Sequence, residues 1–487
     1  MSGALELTQR AIGGQGIDAG GAGDSVLTRE GSFTFLTLTS EAFGGGIDYL
    51  DNPEPASDLG YANASSVADG RNHDGGVEVT ASARGGHHAL AGAGAVADAH
   101  GESHGNGESA AVLVHSDSQG GMGQLLARLG TDGTRGGDAQ STSLGEAFGD
   151  TRVVVDAHSE GGSGGGTNVS DGVNGAGGDG SATAIARGAG TSLVSAAATA
   201  YGGNTGFGNL GEPLPAGPRG AAAASAFATG LGAVSATASS ASEESSHATS
   251  EVTRPGGAIR SMQIERTALT EPSRNFMAAS TAASFELVPT RQEYLAGLGD
   301  FWAGNSTSAF GAVDAATAGT WLEGNPNTAA ALANGGELLA LGAVSLSSAA
   351  DELSTSLDFD IGAVELDADE SLFFGWLDTE SHGASFDALH VALFLDGGVV
   401  FEATFGEAAL ANAQLDDLVL SLALANVTPV SLRLVLDAHY SGGVGDANTD
   451  FAVFTSRSVP APEPGELALL LAAVTAVAVA RHRARSA

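Results

Sequence analysis

The sequence predicts a mainly β protein, in which a Gly/Ala-rich β-repeat region is followed by an antiparallel β-sandwich and a single C-terminal transmembrane helix. Glycine is concentrated in residues 1–250, which hold 52 of the 73 glycines but only 6 of the 19 phenylalanines. Similar segments recur about every 41 residues in that half. Residues 341–457 instead alternate apolar with polar residues. Because an ordinary core needs bulky apolar side chains, the two halves are expected to pack differently.

Composition excludes several classes of function. The chain has 487 residues and a formal net charge of −38, and all 19 of its basic residues are arginines. Phosphate recognition needs a basic face, so nucleic acid is not an expected partner. The sequence contains no cysteine, which excludes disulfides and thiolate metal sites. Such a charge favours solubility and loose binding of divalent cations.

Residues 1–76 are predicted to be an N-terminal β segment. The stretch "GSFTFLTLTS" places Phe33, Phe35, Leu36 and Leu38 among threonines, a pattern typical of a half-buried strand.

Residues 77–250 are predicted to be the repeat region. "VLVHSDSQGG" (112–121) aligns with "VVVDAHSEGG" (153–162) at an offset of 41, and residues 180–200 resemble 220–240 at an offset of 40. Each unit has two short Ala/Ser/Thr/Val runs that are separated by glycine turns. The pattern favours a β-solenoid or stacked hairpins with a period of about 41. A flexible Gly/Ser/Ala spacer is the alternative interpretation.

Residues 251–340 are interpreted as a mixed connecting region. Within it, "TRQEYLAGLGDFW" predicts a short helix, which Thr290 caps and which has Leu295, Leu298 and Trp302 on one face.

Residues 341–457 predict the β-sandwich. Six or seven segments alternate at period two, with turns every 8–12 residues. Asp396-Gly397-Gly398, between "LHVALFL" and "VVFEATF", predicts a tight hairpin. A short helix, "GEAALANAQLDD", interrupts the strands.

The tail, residues 459–487, has three physical parts. "VPAPEP" holds three prolines, which stiffen an exposed segment around Glu463. Residues 465–480 would span about 24 Å as a helix, and snorkelling arginines can make up the difference to the roughly 30 Å hydrocarbon core. The arginines behind this run stay cytoplasmic, so the body lies across the membrane. The anchor residues are Leu467, Leu469, Leu470, Leu471, Val474, Val477 and Val479, and the positive cluster is Arg481, Arg483 and Arg485.

This order of Pro-Glu-Pro, apolar helix and arginine cluster resembles the PEP-CTERM sorting signal of Gram-negative bacteria. The resemblance implies that Pro462, Glu463 and Pro464 are recognised by a membrane-embedded exosortase, which processes the tail. It also implies transient residence in the inner membrane, then transfer to the cell surface or to an exopolysaccharide matrix. Members of the family are exported through a signal peptide. Since the first residues hold no apolar run of that length, we expect a misplaced start codon and an in-frame leader upstream of Met1; a trimmed sequence and a tail that never meets its enzyme are the alternatives. A docked C-terminal helix and a plain tail anchor are the alternatives.

Catalysis is not expected. "GDSV" (23–26) resembles the nucleophile block of GDS esterases, but the matching Asp-x-x-His is missing, because His439 follows Asp437 by only two residues.

Two candidate cation sites can be named. Asp446, Asn448 and Asp450 have the spacing of a calcium loop, but Phe451 and Arg457 replace its glycine and its bidentate acid. An EF-hand is therefore excluded, which leaves a looser Ca²⁺ site or a solvated loop. The repeats also contain histidines that could bind a metal, or that are simply polar residues of an exposed face: His87, His88, His100, His104, His115 and His158.

These features predict an exported, non-catalytic structural protein of the cell surface or extracellular matrix. Its acidic body could be cross-linked by Ca²⁺ within an acidic exopolysaccharide of a biofilm. The alternative is an extracellular module that binds carbohydrate or a partner protein through the sandwich. Trp302, Trp321 and Trp376 could stack on sugars in that case, or could occupy core positions.

Overall fold

Two large mixed sheets dominate the computed structural model, which confirms the prediction of a mainly β protein. Within the described residues, sheet I has 13 strands and sheet II has 12. The structure describes residues 3–14, 21–45, 63–86, 92–123, 132–167, 172–206, 217–242, 244–269, 277–297, 306–333, 335–347, 351–362, 370–383, 386–422, 429–440 and 445–457.

In residues 5–253 the chain alternates between the two sheets, so that every two strands form one coil of a stack. We call these residues the coil region. Each strand pairs in parallel with the strand two places away in sequence. Each pair of strands therefore returns the chain to the same sheet, about 4.8 Å further along. Sheet I contains β1 (Leu5–Ile12), β3 (Phe35–Phe43), β5 (Gly76–Arg84), β7 (Val112–Gln119), β9 (Val153–Glu160), β11 (Val194–Tyr201) and β13 (Val234–Ser242). Sheet II contains β2 (Gly23–Gly31), β4 (Ala64–Asn72), β6 (Ala95–Ser103), β8 (Ala139–Ala147), β10 (Gly180–Gly188), β12 (Ala222–Thr229) and β14 (Ser245–Thr253).

The sequence repeat corresponds to the strand register. β7 pairs with β9, and β8 with β10, at the predicted offset of 41. The offset of 40 holds in sheet I, where Val194 pairs with Val234. In sheet II, however, Gly180 pairs with Ala222, because the connection from β12 to β13 is shorter than the connection from β10 to β11.

The interior of the coil region is narrow because its side chains are small. Opposite the valines of sheet I, Gly70, Gly101 and Gly145 lie in register in sheet II. A Cβ on Gly101 would lie 2.7 Å from Cγ2 of Val114, so only glycine lets the two sheets approach this closely. The buried valine column of sheet I comprises Val77, Val112, Val153, Val194 and Val234.

One side of the coil region is closed by backbone, in what we call the glycine seam. Its segments follow sheet I strands and precede sheet II strands, and their amides bond from one segment to the next. Gly162 N donates to Gly137 O, and Gly178 N donates to Gly162 O, both at 2.8 Å. None of the seam glycines has a positive φ, and a Cβ on them would collide with backbone atoms of the neighbouring segments, so close backbone approach requires glycine there. The seam comprises Gly92, Gly120, Gly121, Gly136, Gly137, Gly161, Gly162, Gly177, Gly178, Gly202, Gly203 and Gly220.

Residues 259–457, which we call the antiparallel part, continue both sheets; their described strand pairs are antiparallel except for one parallel pair in sheet I, between Met277–Phe285 and Ser306–Gly311. β15 (Ile259–Leu269) pairs antiparallel with β14, and β16 (Met277–Phe285) pairs antiparallel with β13. Sheet II continues with β19 (Glu352–Ile361), β24 (Val430–His439), β21 (Ala388–Leu395) and β22 (Gly398–Phe405). Sheet I continues with β17 (Ser306–Gly311), β18 (Leu338–Ser347), β25 (Gly445–Arg457), β20 (Glu370–Gly383) and β23 (Val419–Leu422).

Aromatic side chains replace small ones in the core of the antiparallel part. Phe359, Phe374 and Phe451 are buried between the sheets, and their rings contact one another. A second core lies on the outer face of sheet I, where apolar residues of the sheet, such as Phe310, pack against residues of helices, such as Trp321. The helices described are α1 (Arg291–Gly297), α2 (Ala315–Trp321), α3 (Pro326–Ala333) and α4 (Ala408–Leu415).

The predicted hairpin at Asp396 is present. β21 and β22 pair antiparallel, and Asp396 and Gly397 have φ of 49° and 77°. Two successive positive φ values are the signature of a type I′ turn, whose twist suits two-residue hairpins.

The helix predicted after Thr290 begins as expected but packs differently. Thr290 N donates to Glu293 Oε2, and Glu293 N donates to Thr290 Oγ1, which is a capping box. Leu295 is exposed rather than on a packed face, whereas Tyr294 contacts the rings of the second core. Leu298 and Trp302 lie outside the described residues.

Acid is expected to remove the stabilisation of α2 by its N-cap. The N–H and hydroxyl of Thr317 and the N–H of Ala316 donate to the Asp314 carboxylate and hold its pKa below the ordinary 3.8. A lowered folded pKa means that the stabilisation is present above pH 3.8 and is lost as pH falls through the folded value. Asp314→Ala should therefore lower the Tm at pH 7 and converge with the wild type in acid.

Asp314→Asn is the matched control, because asparagine caps helices almost as well but does not titrate. It should keep most of the wild-type Tm at pH 7. A Tm difference between wild type and Asp314→Ala that persists unchanged at pH 3 would contradict this account of the cap.

Candidate functional site

Parallel stacking aligns outward-facing side chains into rows across sheet II. One row, at the end of the strands, is charged and consists of Glu30, Arg71, Glu102, Glu146 and Arg187. Neighbours in such a row are about 4.8 Å apart at the backbone, so their charges interact directly.

A histidine in the adjacent row joins three carboxylates, and we call Asp69, His100, Glu102 and Glu146 the His100 cluster. Nδ1 of His100 lies 3.0 Å from Oδ1 of Asp69, and Nε2 lies 3.6 Å from Oε2 of Glu146. The His100 side chain is 23% exposed. Of the residues that the structure describes, His100, Glu102 and Glu146 form the group whose possible ligand atoms all lie within 4.8 Å of one another.

Basic side chains border the cluster. Arg187 Nη1 lies 2.9 Å from Oε1 of Glu146, and Nε2 of His104 lies 2.7 Å from Oε1 of Glu102. A hydrogen bond to Asp69 and its negative charge raise the pKa of Arg71 above the ordinary value, so Arg71 is a permanent cation at this edge.

The six histidines of the repeats are only partly brought together. His100 lies near the C-terminal end of β6 in sheet II, and His104 directly follows that strand. His115 and His158 instead lie on the outer face of sheet I, where each pairs with an aspartate. His87 and His88 lie outside the described residues. The sequence repeat did not point to Asp69 or Glu146, because they pair with β6 at offsets of 31 and 44, not 41.

The calcium candidates lie in a strand, not in a loop. Asp446, Asn448 and Asp450 are alternate residues of β25, and such residues are roughly 6.6 Å apart along a strand. Asp450 is buried and accepts a 2.8 Å hydrogen bond from Arg291 Nε. The prediction of a loop was therefore wrong, because these residues belong to a strand. This strand geometry does not support a Ca²⁺ site at these residues.

Two other predicted positions are inside the fold. Ser25 of "GDSV" is buried, and its hydroxyl lies 2.8 Å from that of Ser40, so it does not reach solvent as a nucleophile would. Trp321 and Trp376 are fully buried, in agreement with core positions rather than sugar stacking. Trp302 is outside the described residues.

A groove lies on the outer face of sheet II in the antiparallel part. It has a volume of about 470 Å³ and includes Phe394, Asp358 and Arg433 in its lining. Burial raises the pKa of Asp358, although the charge of Arg433 opposes this shift. An aromatic ring beside a carboxylate and a guanidinium is a combination that can contact a sugar.

Pro462, Glu463 and Pro464, the anchor run and Arg481, Arg483 and Arg485 all lie outside the described residues. In the part of the chain that is described, no helix has both the length and the apolar character to cross a bilayer.

Comparison with known proteins gives no family assignment. No protein-family model matches the chain, and neither a curated protein nor a solved structure matches it.

Proposed function

We propose that this chain is an exported, non-catalytic structural protein of the cell surface or extracellular matrix, sorted and processed at its C-terminus by an exosortase. The observation that carries the proposal is the tail, in which Pro462-Glu463-Pro464 precede an apolar run and an arginine cluster. The apolar run holds the translocated protein in the inner membrane, and the arginines fix its orientation. The stiff proline segment then presents the processing site outside the bilayer.

The body has features that suit a structural role. Both sheets continue from the coil region into the antiparallel part without a break, so backbone hydrogen bonds link the two parts. The interior of the coil region is filled by small side chains and backbone. A net charge of −38 opposes self-association and offers carboxylates to Ca²⁺ within an acidic polysaccharide.

Loss of the Pro-Glu-Pro motif should block processing. We expect P462A/E463A/P464A, expressed behind a secretory leader in a host with a matching exosortase, to remain in the inner membrane fraction with Arg485 attached. Wild-type protein at the cell surface should lack Arg485, because cleavage near the motif removes the residues behind it. Intact-mass analysis of fractionated cells measures both results.

Glu466→Ala is the control, because it changes a nearby carboxylate outside the motif and should be processed like the wild type. Surface-located wild-type protein that retains Arg485 would contradict the proposal.

The alternative, a carbohydrate-binding module, is favoured by the groove at Phe394. Binding of purified body to a polysaccharide that is lost in Phe394→Ala would point to it.

A further inference from the structure

We propose that His100, Glu102 and Glu146 bind a divalent transition-metal cation of the zinc type. This inference is independent of the sorting tail, because it rests on side chains of the coil region. The three possible ligands come from β6 and β8, which are hydrogen-bonded neighbours, so the sheet itself fixes their spacing.

The hydrogen bond to Asp69 determines which ring nitrogen is available. An ionised carboxylate only accepts hydrogen bonds, so Nδ1 of His100 must carry the proton that Asp69 accepts at 3.0 Å. In the neutral ring the lone pair is then on Nε2. A carboxylate that orients a histidine in this way is the usual outer partner of a metal-bound imidazole.

The Nε2 atom needs a positive partner. It is buried and makes no hydrogen bond within the part of the chain that the structure describes. Its neighbour Oε2 of Glu146, at 3.6 Å, also carries lone pairs. Two lone pairs that face each other repel, so the arrangement calls for a second ring proton or for a cation between the two atoms.

The distance between His100 and Glu146 fits a bound cation. Two ligand atoms, each about 2.1 Å from a tetrahedral zinc ion, are separated by roughly 3.4 Å. That separation is close to the observed 3.6 Å between Nε2 and Oε2. The oxygen of Glu146 that faces His100 is not the one that Arg187 bonds, so the arginine holds the carboxylate in place without covering the oxygen that would bind the metal.

Charge and ligand type select the class of cation. Asp69, Glu102 and Glu146 carry three negative charges, which Arg71 and Arg187 offset only in part. A mixed nitrogen and oxygen set suits Zn²⁺, whereas Ca²⁺ and Mg²⁺ prefer oxygen alone. Three protein ligands leave a fourth position for water.

Zinc titration of the full chain tests this site. Isothermal titration calorimetry with Zn²⁺, in excess Mg²⁺ to occupy scattered carboxylates, should show one site of higher affinity. His100→Ala and Glu146→Gln should each weaken that site more than tenfold, and Asp69→Asn should weaken it about 10- to 100-fold. His115→Ala, an exposed histidine on the other sheet, should leave the affinity unchanged.

The variants are expected to fold, because the altered side chains lie on an outer face; the Tm without zinc checks this. A nitrogen-detected NMR spectrum should show His100 protonated at Nδ1 alone once zinc is added. Equal zinc affinity in wild type and His100→Ala would overturn the proposal. So would a zinc-saturated protein in which both ring nitrogens of His100 still carry protons, since a proton would then occupy the place of the metal.

Discussion

Gly178→Ala is expected to destabilise the coil region by about 3 kcal/mol or more in the free energy of unfolding. The new Cβ would lie 2.5 Å from the carbonyl carbon of Gly137 and nearer still to its oxygen. Both atoms are backbone, so no side chain can rotate away. The hydrogen bonds of Gly178 to Gly162, and of Gly203 to Gly178, would have to lengthen together. Urea unfolding followed by circular dichroism measures the loss.

Gly94→Ala is the matched control for this substitution. A Cβ there would make only ordinary contacts, the nearest at 3.6 Å from Asp138 O. Replacing glycine where the backbone permits it restricts the unfolded chain, so this variant should be neutral or more stable by up to about 1 kcal/mol. Equal stability of the two variants would show that the seam tolerates a Cβ. It would contradict the conclusion that close backbone packing requires glycine at Gly178.

The glycine seam shows how far the sequence could predict this fold. Composition and the 41-residue offset were enough to predict β-repeats, because identical residues recur at paired positions. They could not reveal why glycine recurs, since a turn and a close backbone approach require the same residue. Only the φ values and the neighbouring carbonyl groups separate the two reasons. Asp396-Gly397 was predictable because a two-residue hairpin depends on local sequence alone.

The His100 cluster was less predictable for a related reason. A sequence repeat points to contacts only where the coils have equal length. His100 meets Asp69 and Glu102 meets Glu146 across coils of unequal length, so their pairing depends on the three-dimensional register. Likewise, the calcium-like spacing of Asp446, Asn448 and Asp450 also occurs in a plain strand, where alternate residues share a face.

Removal of the Arg291 side chain is expected to destabilise the protein by a comparable amount. Nε of Arg291 lies 2.8 Å from Oδ2 of Asp450, and Nη2 lies 2.9 Å from Oδ2 of Asp378. The Asp450 side chain is only 7% exposed. Arg291→Met would take the arginine away from a buried carboxylate, a loss that typically costs about 3–5 kcal/mol. Since these bonds join α1 to β20 and β25, the variant should also loosen the second core around Tyr294.

A double-mutant cycle separates this charge pair from packing. Arg291→Met combined with Asp450→Asn removes both charges and should recover part of the stability that Arg291→Met loses. Arg291→Lys keeps the charge but cannot reach two carboxylates with a planar fork, so its stability should fall between wild type and Arg291→Met. Additive effects of Arg291→Met and Asp450→Asn in chemical unfolding would mean that the two side chains do not stabilise each other. In that case the ion pair with Arg291 would not explain why Asp450 is held in place as a buried carboxylate.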